Sequence, residues 1–412
     1  MDFNFETNSK YNQETKQTTE KKSVIVGKSL SKRLYLSYNF GLAQADSNVL
    51  TLTYLLNKFL ASKSMPALLR AVLIYYIHTV RNNLMINYQL PLRLKRMRQT
   101  STVRAMLQET HLHPQQFIAP LFISETISEK REIKSMPGQF QLTLDCLPQE
   151  IEELSALGIP AVLLFGIPAH KDAHGSASLL ADGIIQQAIR TIRDVNKEIL
   201  IITDVCFCEY TDHGHCGILD GKQIDNDATL ALLGQQAVSH ADAGADWVAP
   251  SSMTDGMVMA IRRALDQAGH LDTAILSYAV KYSSSFYGPF REAAQGAPQF
   301  GDRKTYQMNP ANGHEALREA ALDLEEGADL LMVKPAMNYL DVIFRLKQHY
   351  PEIPLGAYQV SGEYSMLKNA AAQGLINEEQ AMIESLLAIK RAGADLIISY
   401  FAKDIARLLK HN

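Results

Sequence analysis

From Phe117 onward the chain alternates short apolar runs with longer segments of helical periodicity, and this alternation leaves few architectures open. The runs are Phe117 to Ile123, Ala161 to Gly166, Ile199 to Val205, Asp246 to Ser251, Thr273 to Ala279, Leu330 to Pro335, Leu355 to Ser361 and Asp395 to Tyr400. Runs apolar on consecutive residues are what strands need when helices cover both faces of a parallel sheet. Three of them are entered through Gly-Ala-Asp, at Gly244, Gly327 and Gly393, where glycine suits the C-cap of the preceding helix. Eight such units in about 300 residues fit a closed (β/α)8 barrel better than an open doubly wound sheet. No glycine-rich phosphate fingerprint opens the first unit, which counts against dinucleotide binding. Catalytic groups of such a barrel belong at the C-terminal strand ends and in the loops after them.

The remaining sequence is divided by composition. Residues 1–90 form an extension: its first 25 or so are polar and are expected to be disordered, and a helix is expected at Ala67 to Ile77. Residues 91–115 form an arm whose Arg93, Lys95, Arg96, Arg98 and Arg104 read as a solvated basic stretch, and residues 116–412 form the barrel. A net charge of −4 offers no footprint for nucleic acid. The longest apolar candidate for a membrane span, Ala67 to Val80, is too short and carries Arg70 and His78. Acidic residues among the first twenty argue against a targeting segment, and four cysteines are too few for a disulfide scaffold, so a reducing, cytoplasmic setting is expected.

Three of those cysteines fall in one loop after the third strand, Asp204-Val-Cys206-Phe-Cys208-Glu-Tyr-Thr-Asp-His213-Gly-His215-Cys216. Soft thiolates favour zinc, and three ligands leave a fourth position for water or a substrate oxygen, the mark of a catalytic site. A metal-free buried trio suits a polar, glycine-rich loop poorly. His213 and His215 serve either as ligands or as hydrogen-bonding support.

The fifth and sixth strands run into Lys281 and Lys334. Adjacent strands lie about 4.8 Å apart, so two ammonium groups there would repel, and at least one would approach neutrality and become a nucleophile toward a ketone. One strand-end lysine alone is as readily a snorkelling residue; two, beside a thiol cluster, are not. The long loop after Lys281 carries Arg291 and Arg303, suited to capture of a carboxylate or to plain solvation, and Tyr358, Gln359, Ser361 and Tyr400 at the last strand ends offer further polar contacts.

The thiol loop, Ser-Tyr-x-x-Lys281, Phe-Tyr-Gly-Pro-Phe-Arg291, Met-Val-Lys334-Pro and Tyr-Gln-Val-Ser361-Gly-Glu together resemble the porphobilinogen synthase (5-aminolevulinate dehydratase) family over about Arg93 to Leu409. The resemblance implies a lyase of heme and porphyrin biosynthesis that condenses two 5-aminolevulinate molecules through lysine Schiff bases. Lys334 would hold the first substrate, with Ser361 and Tyr400 on its carboxylate and Asp204 and Ser251 near its amino group. Lys281 would engage the second, with Arg291, Arg303 and nearby Gln307 on its carboxylate, and Cys206, Cys208 and Cys216 would hold zinc. Glu319 matches the position of a glutamate that binds an activating magnesium in bacterial-type members. The family is typically a homo-octamer embraced by N-terminal arms; the first ninety residues exceed the usual extension. Two rivals stand beside this reading. A class I aldolase would need neither the thiol loop nor the second lysine, and a silent metal-binding barrel would not react with a ketone.

Overall fold

The computed structural model describes residues 91–411, together with the backbone of four strands between residues 2 and 54. The expected helix at Ala67 to Ile77 lies outside the described residues. The chain divides into two compact units, Met1–Arg96 and Met97–Asn412.

In the first unit, β1 (Asp2–Asn12), β2 (Gln17–Ser31), β3 (Leu34–Gly41) and β4 (Val49–Tyr54) form an antiparallel meander in chain order. This departs from the disorder expected of the first 25 residues. That expectation rested on composition, whereas β1 finds partners along its whole length, from Asp2 opposite Gly27 to Asn12 opposite Gln17. Cross-strand pairing satisfies backbone groups regardless of how polar the local sequence is.

The second unit begins with α1 (Ser101–Met106), capped by the Thr100 hydroxyl, which accepts the Val103 N–H at 3.2 Å. Met97 and Met106 along this stretch are exposed, as are Leu92 and Leu94 at the end of the first unit. The barrel then opens with β5 (Phe117–Ser124), beside which a short hairpin, β6 (Arg131–Glu132) and β7 (Phe140–Leu142), leans on the C-terminal end. After α2 (Leu147–Ala156) come β8 (Ala161–Ile167), α3 (Ile184–Val195) and β9 (Leu200–Val205). A two-residue ribbon, β10 (Leu219–Asp220) with β11 (Gln223–Ile224), leads to α4 (Asn226–Ala243), β12 (Trp247–Pro250), α5 (Met257–Ala268) and β13 (Ala274–Lys281). The chain continues through α6 (Gly288–Ala293), α7 (Glu315–Glu326), β14 (Leu330–Lys334), α8 (Leu340–His349) and β15 (Leu355–Gln359). It ends with α9 (Ser361–Ala372), α10 (Glu378–Ala392), β16 (Leu396–Ser399) and α11 (Ala402–His411).

The parallel order β5-β8-β9-β12-β13-β14-β15-β16 closes on itself, because β16 pairs with β5 through Ile397 opposite Phe117 and Ile398 opposite Ile118. The result is the closed eight-stranded (β/α)8 barrel, with each strand within two residues of its expected span. No helix among the described residues is long and apolar enough to cross a membrane.

The Gly-Ala-Asp repeat has a physical role at the bottom of the barrel. Gly244, Gly327 and Gly393 end α4, α7 and α10 with φ of 107°, 107° and 119°, a conformation that side chains oppose. The aspartate two residues on then accepts the N–H at the start of the neighbouring strand. Asp246 takes that of Ile201 at 2.7 Å, Asp329 that of Ile275 and Asp395 that of Leu355, each at 2.8 Å. Arg193 pairs with Asp246, and Lys347 with Asp395 at 2.8 Å.

Candidate active site

The two lysines meet because β13 contains one residue more than its partner. At the bottom of the ladder Leu276 stands opposite Leu330 and Ser277 opposite Leu331, while at the top Val280 stands opposite Val333 and Lys281 opposite Lys334. Ser277 to Val280 is three steps and Leu331 to Val333 only two, so a β-bulge absorbs the difference. A regular ladder would set Lys281 level with Pro335; the bulge sets the two lysines in one row. Both are buried, at 4 % and 5 % exposure. The Lys334 Nζ lies 4.4 Å from the Tyr358 ring centroid, 5.0 Å from those of Tyr278 and Phe290, and 5.4 Å from that of Tyr287. Aromatic faces replace only part of the hydration an ammonium loses. Burial first, then the neighbouring Lys281 charge, brings the Lys334 pKa down to about 7. The Lys281 Nζ donates to the Ser251 carbonyl and lies 5.5 Å from the Tyr278 ring centroid.

Asp204, at the end of β9, completes this polar cluster. Burial, followed by the Glu209 charge, raises its carboxyl to about 7 against the opposing pull of Lys281 and Lys334. Its Oδ1 has no hydrogen-bond partner and its carboxylate faces the Ser251 hydroxyl. Just beyond, the Cys206 and Cys208 sulfurs are 3.4 Å apart, and the three thiols of Cys206, Cys208 and Cys216 lie within 4.8 Å of one another, all buried. Tetrahedral zinc–thiolate geometry needs sulfurs about 3.8 Å apart, so the donor set fits that ion in type and spacing. Hydrogen bonds from Cys206 and Cys208 push the Cys216 thiol well below its ordinary value, concentrating anionic character on that sulfur. The imidazoles are committed elsewhere. The His213 Nδ1 accepts the His215 N–H at 3.1 Å, while the His215 Nδ1 lies 3.2 Å from the Tyr306 hydroxyl and its Nε2 3.0 Å from the Phe300 carbonyl. They brace the thiol loop against the loop that follows α6.

Arg291, on α6, and Arg303, in that loop, both line the cavity shared by Lys281, Lys334, Asp204 and Ser251. The Arg303 guanidinium donates to the carbonyls of Gly214 at 2.9 Å and Gly296 at 2.6 Å, and its Nε, like that of Arg291, has no partner. Unspent donors on two converging guanidiniums suit an anionic group. Ser361 and Tyr400 each touch a residue whose ring faces Lys334. The Ser361 Oγ accepts the Phe290 N–H at 2.9 Å, and the Tyr400 hydroxyl lies 3.0 Å from that of Tyr358, whose ring faces Lys334. Gln307 lines a separate depression together with Glu319, Asp255 and Glu315. There, burial and the charges of Asp255 and Glu315 raise the half-buried Glu319 carboxyl.

Phe165, Glu209, Tyr287 and Phe290 also line the lysine cavity and were not singled out from the sequence. Glu209 adjoins Cys208, and Tyr287 and Phe290 belong to the motif ending at Arg291, so proximity to marked residues was an available signal. Phe165 had none beyond standing at a strand end.

A family model described as delta-aminolevulinic acid dehydratase matches residues 91–408. A delta-aminolevulinic acid dehydratase of Halalkalibacterium halodurans is 55 % identical over 317 residues, covering 77 % of this chain and 96 % of that one. One of Staphylococcus aureus is 51 % identical over 319 residues, covering 77 % and 98 %. The crystal structure of delta-aminolevulinic acid dehydratase (porphobilinogen synthase) from Toxoplasma gondii ME49, in complex with the reaction product porphobilinogen, superposes with a TM-score of 0.75. It is 42 % identical and covers 77 % of this chain and 91 % of its own. A barrel with paired buried lysines, a thiol cluster beside them and relatives matched over nearly their full length leads to one assignment: the chain belongs to the delta-aminolevulinic acid dehydratase family.

Proposed function

We propose that the chain condenses two molecules of 5-aminolevulinate to porphobilinogen, releasing two waters, through Schiff bases at Lys334 and Lys281. The observation that carries this is the pair of buried amines in one row, with the Lys334 pKa brought down to about 7. A neutral Lys334 amine attacks the substrate ketone; loss of water gives an iminium, which acidifies the adjacent carbon for bond formation. Asp204 and Ser251 hold the amino group of this first substrate and exchange its proton. Lys281 engages the second ketone, and Arg291 and Arg303 neutralise the second carboxylate. Ser361 and Tyr400 serve the first carboxylate, and Gln307 supports the arginine side.

Cys206, Cys208 and Cys216 would hold zinc, which when bound supplies Lewis acidity toward an oxygen or amine of the second substrate. Glu319, in its acidic depression, would take magnesium as an activator. The reading extends to a homo-octamer built with the arm of residues 91–115, acting in the cytoplasm in tetrapyrrole biosynthesis.

Borohydride trapping with 5-aminolevulinate, read by peptide mass spectrometry, tests the reading on wild type and on Lys334→Ala. An adduct on Lys334 and chelator-sensitive porphobilinogen formation are expected in wild type, and neither in the variant. Turnover retained by Lys334→Ala would remove the assigned nucleophile.

A further inference from the structure

The turn after Lys334 and the helix that begins at Ser361 are held together by a single carboxylate. Glu363, the third residue of α9, is 1 % exposed. Its Oε1 accepts the Met337 N–H at 2.8 Å and its Oε2 accepts the Val360 N–H at 2.9 Å. The Val360 bond is ordinary helix capping, in which a residue at the third position reaches back to the N-cap amide. Val360 has no side-chain acceptor to reciprocate, so this is half of a capping box. The Met337 bond is different in kind, because it commits the other oxygen to a neighbouring strand end, three residues past Lys334. The amides of Ala336 and Asn338 also face this carboxylate.

The connection reaches further. Val360 precedes Ser361, whose Oγ accepts the Phe290 N–H, and Phe290 precedes Arg291. Glu363 therefore links the nucleophile's strand to the helix start that supports α6, which carries Arg291. Burying a carboxylate among amides is costly, and capping alone would be served by a glutamine. Only a carboxylate presents an acceptor to both amides at once; a glutamine would turn its NH2 group against one of them.

We infer that Glu363 is a positioning residue for the condensation, setting the distance between the Lys334 amine and the Ser361–Arg291 side of the site. This rests on the reaction assigned above. Glu363→Gln, made in the full chain, is assayed as turnover per trappable Lys334, counted by borohydride labelling, together with KM for 5-aminolevulinate. A displacement of about 1 Å can lower a rate by up to about 100-fold, so kcat per competent site is expected to fall at least about tenfold, with KM changing less. Glu363→Asp keeps both acceptors on a stem one methylene shorter and is expected to recover part of that loss. It carries the test if the glutamine variant does not fold. Fewer competent sites with unchanged kcat per site in Glu363→Gln, or in Glu363→Asp where the glutamine variant does not fold, would overturn the inference and leave Glu363 a purely structural cap. Absence of any wild-type adduct would instead overturn the underlying reaction.

Discussion

Lys334 is an amine placed where a cation is disfavoured, and the nucleophile's part proposed for it follows from that placement. Burial and the Lys281 charge together lower its pKa, and the second can be removed without the first. In Lys281→Met the second cause disappears and the Lys334 pKa moves back toward the ordinary lysine range. Because the neutral amine attacks, adduct formation rises as pH passes through the pKa. The midpoint of the rate of trapping at Lys334, about 7 in wild type, is therefore expected to shift to higher pH in the variant. A stopped trapping series from pH 6 to about 10 measures it, and an unshifted midpoint would mean the two charges do not interact. The lysines were legible in the sequence because an ammonium is anomalous at a buried strand end, and the thiols because three of them crowd into one polar, glycine-rich loop. Ser361 and Tyr400 were legible as polar strand-end residues. Their contacts with Phe290 and Tyr358 were not, since those depend on which elements distant in sequence the closed barrel brings together.

Among elements, the eight strands were readable because helices cover them and their burial erases the period-two alternation of an exposed sheet. The Gly-Ala-Asp repeat was also readable, but only its glycine carried a local signal. The aspartate acts on a different strand, a relation that exists only after the barrel closes. Asp329 is a clean case: its carboxylate accepts the Ile275 N–H and holds the foot of β13 to β14. Asp329→Ala leaves that amide without its acceptor and is expected to cost about 1–3 kcal/mol, seen as a lower midpoint in urea with little change in slope. Asp329→Asn retains a carbonyl acceptor and is expected to cost less. The meander of β1 to β4 was missed because polar composition speaks to burial, whereas its pairing is a matter of backbone register.

In the whole molecule, every residue assigned to the reaction lies between Asp204 and Tyr400, within a barrel closed by its own β16–β5 pairing. The family match likewise begins at residue 91. Removing residues 1–90 is therefore expected to leave Lys334 trapping and kcat per site within about twofold of the full chain, a difference under roughly 0.5 kcal/mol in barrier. Side-by-side kinetics of the two chains decide this. A larger loss would give the extension a part in building the site.

The bulge in β13 makes the spacing of the two amines a matter of chain length. Point substitutions between Ser277 and Val280 can change packing around Tyr278 and Ala279, yet none of them alters the count of residues that brings Lys281 level with Lys334. Losing one residue there would equalise the two counts and leave Lys281 level with Lys334 in a regular ladder, whereas gaining one adds a second unmatched residue, which in an otherwise unchanged ladder moves Lys281 along the strand by about 3.3 Å and turns it to the opposite face. Through descent, this segment is therefore free to drift in identity and even to shed its bulge, but an added residue in it would separate the two amines.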